Sequence, residues 1–210
     1  ILVERLTAVV GKANCLSRPE ELFTYGCDGL TLDAHLPVAV VLPKTTEEVA
    51  AAVQVCLELG HPFVPRGAGT GLSGGAVPLC EAVVICCSRM RDILEIDAEN
   101  RIAVVQPGVV NAHLSQAVGH LGLLYAPDPS SQQACTIGGN VAENSGGPHT
   151  LKYGTTTNHV MAVEMVLPDG SAVRLGSRTG FSAGYDLVGA AVGSEGTLGI
   201  VTEVTVRLVA

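Results

Sequence analysis

Apolar positions recur with two different periods along the chain, and the changes of period mark its elements. Leu2, Leu6 and Val9 have helical spacing before Gly11, and Pro19 to Tyr25 allows a second short helix, so residues 1–37 read as a helical packing segment. Val38 to Leu42 is an unbroken apolar run ahead of Pro43, the form of a strand covered on both faces. A helix follows. Thr45 and Glu48 have capping-box spacing, Val49, Ala52, Val53, Cys56 and Leu57 form one apolar stripe, and Gly60 with Pro62 ends it. Pro62 to Pro65 reads as the next strand, and the usual handedness of crossovers makes this a right-handed βαβ unit.

Ala82 to Cys87, Ile93 to Ile96 and Arg101 to Val105 read as short strands, the last two parted by the turn residues Asp97 to Asn100. The pattern VVLP at Val40 to Pro43 then returns as VVQP at Val104 to Pro107, again ahead of a helix. Asn111 is its expected cap, Leu114, Ala117, Val118 and Leu121 its apolar face, and Gly122 its end. The echo predicts two related lobes, about 38–105 and 106–210, with a ligand in the cleft between them. Shared physics of two βαβ units accounts for it as well. His159 to Leu175 reads as a hairpin, with Met161, Val163, Met165 and Leu167 alternating before an Asp169-Gly170 turn and Val173 and Leu175 after it. Arg174 and Arg178 read as solvated. Ala183 to Val192 is a predicted helix, and Val204, Val206 and Leu208 alternate with Glu203, Thr205 and Arg207 in a strand that runs to the last residue.

Composition narrows the class. In 210 residues, 47% are hydrophobic and 15% charged, which describes a globular chain large enough for a proper core. A net charge of -8 without a basic stripe argues against nucleic acid. No apolar run reaches the roughly eighteen residues of a membrane span, and ILVERL is charged too early for a signal peptide. The start at Ile1 reads as trimmed. Seven cysteines, an odd number without C-x-x-C spacing, suit small core residues in a reducing, cytoplasmic setting; Cys86 and Cys87 should point to opposite faces of their strand.

Candidate chemistry centres on PRGAGTGLSGG, Pro65 to Gly75, with five glycines in eleven residues. Such a stretch lets backbone amides approach phosphate oxygens closely. Gly69, Gly71 and Gly74 fit G-x-G-x-x-G, but the following Pro78 and the strand-like AVVICC exclude the helix that a dinucleotide fold of the Rossmann type needs there. The loop joins strand to strand, and it is longer than an ordinary turn of about two to five residues. A second stretch, from Tyr125 to Gly154, is too rich in glycine and small polar residues for a core element. Thr136 to Asn140 within it looks like the mouth of a short helix, presenting free amides to an anion. His149 lacks partners at metal spacing and reads as structural; no metal is assigned. GSEGTLG, Gly193 to Gly199, is a third glycine loop placed just before a strand.

Three such loops in this order resemble the FAD-binding domain of the vanillyl-alcohol oxidase and p-cresol methylhydroxylase (PCMH-type) flavoproteins. Within that superfamily the chain is similar to glycolate oxidase D subunits and FAD-linked D-lactate dehydrogenases. The likeness rests on PRGAGTGLSGG, on PDPSS with TIGGNVAENSGGPHTLKYG, and on GSEGTLGIVTEV, and spans Val38 onward. It implies an α+β fold, the PCMH-type FAD-binding domain, made of two α/β lobes with the cofactor between them. Pro65, Arg66, Gly67, Ala68, Gly69, Thr70, Gly71, Ser73, Gly74 and Gly75 would wrap the pyrophosphate of a non-covalent FAD. Pro127, Asp128 and Ser131, then Thr136, Ile137, Gly138, Gly139 and Asn140 with Ser145, Gly146 and Gly147, would line the ribityl and isoalloxazine region, followed by Tyr153 and Gly154. Glu195, Gly196, Ile200 and Val201 would meet the adenosine end or the lobe seam.

Some relatives attach flavin through a histidine where Thr70 stands, and Cys135 is the nearby thiol, so attachment is not expected. The implied activity is oxidation of a 2-hydroxy acid such as glycolate or D-lactate. Iron-sulfur or flavin partner subunits would accept electrons and could hold the protein peripherally at the inner membrane. No residue here is assigned as catalytic base or carboxylate clamp; both are expected from a C-terminal cap domain after Ala210. A flavin-carrying electron-transfer or binding module, with its substrate site on another subunit, is the other reading.

Overall fold

The computed structural model describes residues 1–181 and 184–210, and the predicted helix start at Ala183 lies outside them. Among the described residues the strands form two sheets. In the first, the spatial order is β1 (Cys15–Leu16), β2 (Ala39–Val41), β4 (Val83–Cys86) and β3 (Phe63–Arg66). Only β1 is antiparallel to its neighbour. β2 and β4 are buried at every residue, which is why they read as unbroken apolar runs. Alternate residues serve two cores. Ala39, Val41, Val83 and Ile85 pack with α1 (Leu2–Val10) and α3 (Thr46–Leu59), whereas Val40, Val84 and Cys86 pack with Leu22 from α2 (Pro19–Leu22) on the other side. Each valine, leucine and isoleucine among these contributes about 1.5–3 kcal/mol when fully buried.

The expected strand, helix and strand are present, but β4 is inserted between β2 and β3. Thr45 caps α3 by accepting from the Glu48 amide, while the Glu48 carboxylate reaches back to the amide of Lys44. Gly60 ends the helix in the left-handed region, φ 70°. Val49, Ala52, Val53 and Cys56 are buried as expected; Leu57 turns outward and Val55 takes an inward position.

The second sheet is antiparallel throughout, in the order β5 (Ile93–Asp97), β6 (Ile102–Val105), β9 (Ile200–Arg207), β7 (Val160–Val166) and β8 (Ala172–Gly176). β5 and β6, which the sequence places with the first lobe, therefore pair in the second sheet. The VVQP echo has no matching topology: around and after α4 (Asn111–Gly119) the chain makes only isolated bridges, Val110 to Thr136 and Leu124 to Val209, instead of a parallel strand. Asn111 is not the cap of α4. Val110 holds that position, and the buried Asn111 amide donates to the Pro127 carbonyl. Leu121 and Gly122 lie beyond the helix end, with Leu121 exposed.

Val105, Leu114, Val118, Tyr125, Val163 and Val204 are among the residues that form this sheet's main core, together with Ile137 and Val141 of α5 (Ile137–Glu143). Val166 and Ile200 reach the α3 core instead, joining the two halves. Coverage on both faces is why Thr205, expected outside, is buried. The β7–β8 turn at Asp169-Gly170 forms as expected, with the Leu167 amide donating to the Ser171 carbonyl. Arg174 and Arg178 are half-exposed and ion-paired, Arg174 with Glu203 and Arg178 with both carboxylate oxygens of Glu95 at 2.6 Å. α6 (Thr150–Tyr153) and α7 (Leu187–Ala191) are short. β9 ends at Arg207, before the last residues. Among the described residues no helix is long and apolar enough to cross a membrane, all cysteines are free thiols, and Cys86 and Cys87 sit in different cores.

Candidate cofactor site

The glycine loop leaves β3 at Arg66 and returns at β4, its parallel neighbour, so it stands over the edge of the first sheet. Its floor is the start of α5. A Cβ on Gly67 would lie 2.5 Å from Oγ1 of Thr136, the residue that caps α5 by accepting from the Gly139 amide. The third loop completes the ring: Gly193 and Glu195 donate to the Val141 and Ala142 carbonyls of α5, and Gly196 packs on Pro65, where a Cβ would lie 2.3 Å from Cγ. All three predicted loops thus meet, around a cavity of about 440 Å³.

Of the residues predicted from the sequence, Pro65 to Gly71, Ser73 and Gly75 line this cavity from the first loop. Ser131, Thr136, Gly138, Gly139, Asn140 and Ser145 line it from the second stretch, and Glu195, Gly196, Ile200 and Val201 from the third. The rest do not. Gly74 is turned away and held by Asp28, and Ile137 is fully buried in the second core. Pro127, Asp128, Gly146, Gly147, Tyr153 and Gly154 are not among the lining residues, and Asp128 makes its contacts within this stretch. There Asp128 accepts from the His149 amide and lies 2.9 Å from Nδ1 of its ring, and a Cβ on Gly147 would meet the Asp128 carbonyl at 2.1 Å. His149 is therefore tied to Asp128, and among the described residues no group of three or more His, Cys, Asp or Glu is placed to hold a metal ion.

Residues not foreseen also line the cavity: Asp28, Cys87, Pro107, Cys135 and Glu143 among them. Glu143 ends α5 and accepts from the Ser73 hydroxyl at 2.6 Å; at a helix end it carries no signal beyond that of a surface carboxylate. Glu195 holds a left-handed backbone, φ 52°. Burial, with Cys86 adding to it, pushes the Cys87 thiol up to about 12, and burial raises Cys135 as well, so neither is a thiolate at neutral pH.

Two observations show what the cavity is suited to hold. Among the described residues, the backbone amides from Ala68 to Ser73 donate to no protein group, which leaves a row of donors for phosphate oxygens. Asn140 is 1% exposed, yet neither atom of its side-chain amide has a partner. Buried polar groups are rarely left so, and the pair marks a place for a further hydrogen-bonding group. Both features fit an extended ligand with a pyrophosphate.

A two-sheet α+β fold with three loops closing on such a cavity defines a PCMH-type flavoprotein domain, and the comparisons agree. Residues 37–176 match the FAD binding domain family, and the chain belongs to it; the cofactor is FAD. The chain is 53% identical to glycolate oxidase subunit GlcD of Escherichia coli (strain K12) over 92% of its own length and 39% of the relative's. Against GlcD of Bacillus subtilis (strain 168) it is 45% identical over 98% of this chain and 44% of that one. D-lactate dehydrogenase of Anaerostipes hadrus is 46% identical over 82% and 36%. Among solved structures, alkyldihydroxyacetonephosphate synthase superposes with a TM-score of 0.88 at 27% identity, covering 100% of this chain and 40% of that chain. p-Cresol methylhydroxylase with substrate bound superposes at 0.85 and 26%, covering 99% and 42%. The chain spans less than half the length of each of these proteins.

Proposed function

We infer that the protein oxidises a 2-hydroxy acid to the 2-oxo acid, with glycolate and D-lactate as leading substrates, and that residues 38–210 are its FAD-holding domain. The observation that carries this reading is the meeting of three glycine-bearing loops at one cavity with free backbone donors, in a chain 53% identical to a glycolate oxidase subunit. When bound there, FAD would supply a hydride acceptor for the carbon bearing the substrate hydroxyl. The chain's own part is to bind and orient. The Ala68 to Ser73 amides hold the pyrophosphate, the mouth of α5 and Asn140 hold the polar middle of the cofactor, and Ile200 and Val201 supply an apolar wall that excludes water.

The charged side chains lining the cavity are Asp28, Arg66, Glu143 and Glu195. Arg66 is committed to backbone carbonyls and Asp28 to backbone amides, so the arginine clamp for a substrate carboxylate must come from elsewhere. That supports a clamp and base in the part of the relatives that this chain does not span. It equally favours the second reading, a flavin-carrying electron-transfer module whose substrate site lies on another subunit. The relative's name as a subunit supports a partner subunit; in this reading an iron-sulfur or flavin subunit accepts the electrons. The test is to offer the whole protein a panel of 2-hydroxy acids with an artificial electron acceptor. Turnover of glycolate or D-lactate is expected, and no turnover of any member would sink the enzyme reading.

The flavin is held without a covalent bond. Thr70 stands where a histidine would be needed, and the buried thiol of Cys135 is protonated and a poor nucleophile. Acid precipitation of the loaded protein should give a colourless pellet; a yellow one would overturn this.

A further inference from the structure

The segment just before the family match, which begins at residue 37, is wired into the glycine loop. Asp28 is 6% exposed and has no cationic partner among the described residues; its carboxylate is satisfied by two backbone amides. Oδ1 accepts from Leu30 at 2.9 Å, a local turn, and Oδ2 accepts from Gly74 at 2.9 Å, across 46 residues of chain. Beside it the Gly29 amide donates to the Gly71 carbonyl at 2.9 Å, and a Cβ on Gly29 would lie 2.9 Å from the Thr70 carbonyl oxygen. At the loop's entry Arg66, 8% exposed, donates to the Cys27 carbonyl at 2.8 Å and to Ala76 at 3.3 Å. The free amides from Ala68 to Ser73 are thus tethered on both sides by residues 27–29.

We propose that Asp28 is a positioning residue of the cofactor site: its carboxylate, by holding the Gly74 amide, aims the loop's free amides at the FAD pyrophosphate. The proposal rests on the assignment of that loop to FAD. The physical reason is preorganisation. A five-glycine loop has wide conformational freedom, and amides that must be ordered on binding cost affinity. A charge-assisted hydrogen bond from the Gly74 amide to a buried carboxylate removes part of that cost before the cofactor arrives. Asp28 also lines the cavity, so the tether starts from the cavity wall.

Asp28→Asn separates the local turn from the tether. A carboxamide keeps one acceptor oxygen and sets an NH2 where the second stood, so it cannot serve both the Leu30 and the Gly74 amides. FAD affinity of the apoprotein, followed by flavin fluorescence, should fall about 10- to 100-fold. The thermal midpoint of the apoprotein should stay near that of the wild type, and amide exchange should rise in residues 68–75. Gly29→Ala, which presses on the Thr70 carbonyl while keeping the Asp28 carboxylate, should weaken FAD in the same way. FAD affinity within twofold of wild type in both variants would overturn the proposal. So would a loss of affinity that only tracks a lowered apoprotein midpoint with exchange raised throughout the chain. A wild type that takes up no FAD would instead sink the cofactor assignment, and this proposal with it.

Discussion

Gly69 shows how one residue joins backbone geometry to a buried charge. Its φ is +73°, and a Cβ there would lie 2.0 Å from Nη2 of Arg66, whose guanidinium is already engaged by backbone carbonyls. Gly69→Ala therefore adds left-handed strain and dislodges an arginine that cannot shed its charge, a loss on the order of 3 kcal/mol. Chemical denaturation of the apoprotein should read it; a change below about 0.5 kcal/mol would show that Arg66 moves aside freely. His159 gives a pH dependence. It is 3% exposed, and burial holds its imidazole below the ordinary value, only partly opposed by the Tyr153 carbonyl at 3.1 Å from Nε2. The unfolded chain then takes up a proton near pH 6.5 that the folded chain refuses, so stability is full above about 6.5 and falls as pH drops toward the lower folded value. Thermal midpoints between about pH 7.5 and 5 should show this decline, and His159→Gln should flatten it. At this scale the sequence reveals the glycines, because only glycine tolerates such contacts. It does not reveal the partners of Arg66, because the main-chain carbonyls of residues 24–27 are common to every residue type.

Among elements, α5 is the pivot, since both other loops rest on it, yet it spans only seven residues with two glycines. Propensity cannot hold so short a helix; the cap and the burial of Ile137 and Val141 must. Thr136→Ala should cost about 1 kcal/mol in urea denaturation, and Thr136→Ser only a few tenths. Equal losses in the two would mean that the threonine methyl, rather than the hydroxyl, secures the helix. The helix mouth is legible in TIGGN because capping is local chemistry. Strand partnership is not local, and that is where the sequence misleads. The apolar runs of β2 and β6 look alike, but one lies between antiparallel β1 and parallel β4 and the other between antiparallel β5 and β9. Asn111 misleads for the same reason: its side chain serves a carbonyl 16 residues away instead of its own helix.

For the whole molecule, the cavity in the proposed reading has a cofactor side built by the three loops, and its substrate side is left to other residues. Leu72 lines it and is 64% exposed, with Leu198 and Leu151 also largely in solvent. Hydride transfer needs a substrate fixed against the flavin in a site closed to water. Among the described residues, the cavity lining offers no uncommitted cation to fix a carboxylate. Residues 1–210 alone should therefore bind FAD, yet show no reduction of it by glycolate or D-lactate under anaerobic conditions. The protein extended to the length of its relatives should be reduced by one of them. Exposed leucines, Leu72 at the cavity among them, should also make the shorter chain self-associate at high concentration, readable by light scattering. Equal reduction rates in the two forms would place the base within residues 1–210. His149 would then be the first side chain to replace, its ring half-exposed beside Asp128 at 2.9 Å.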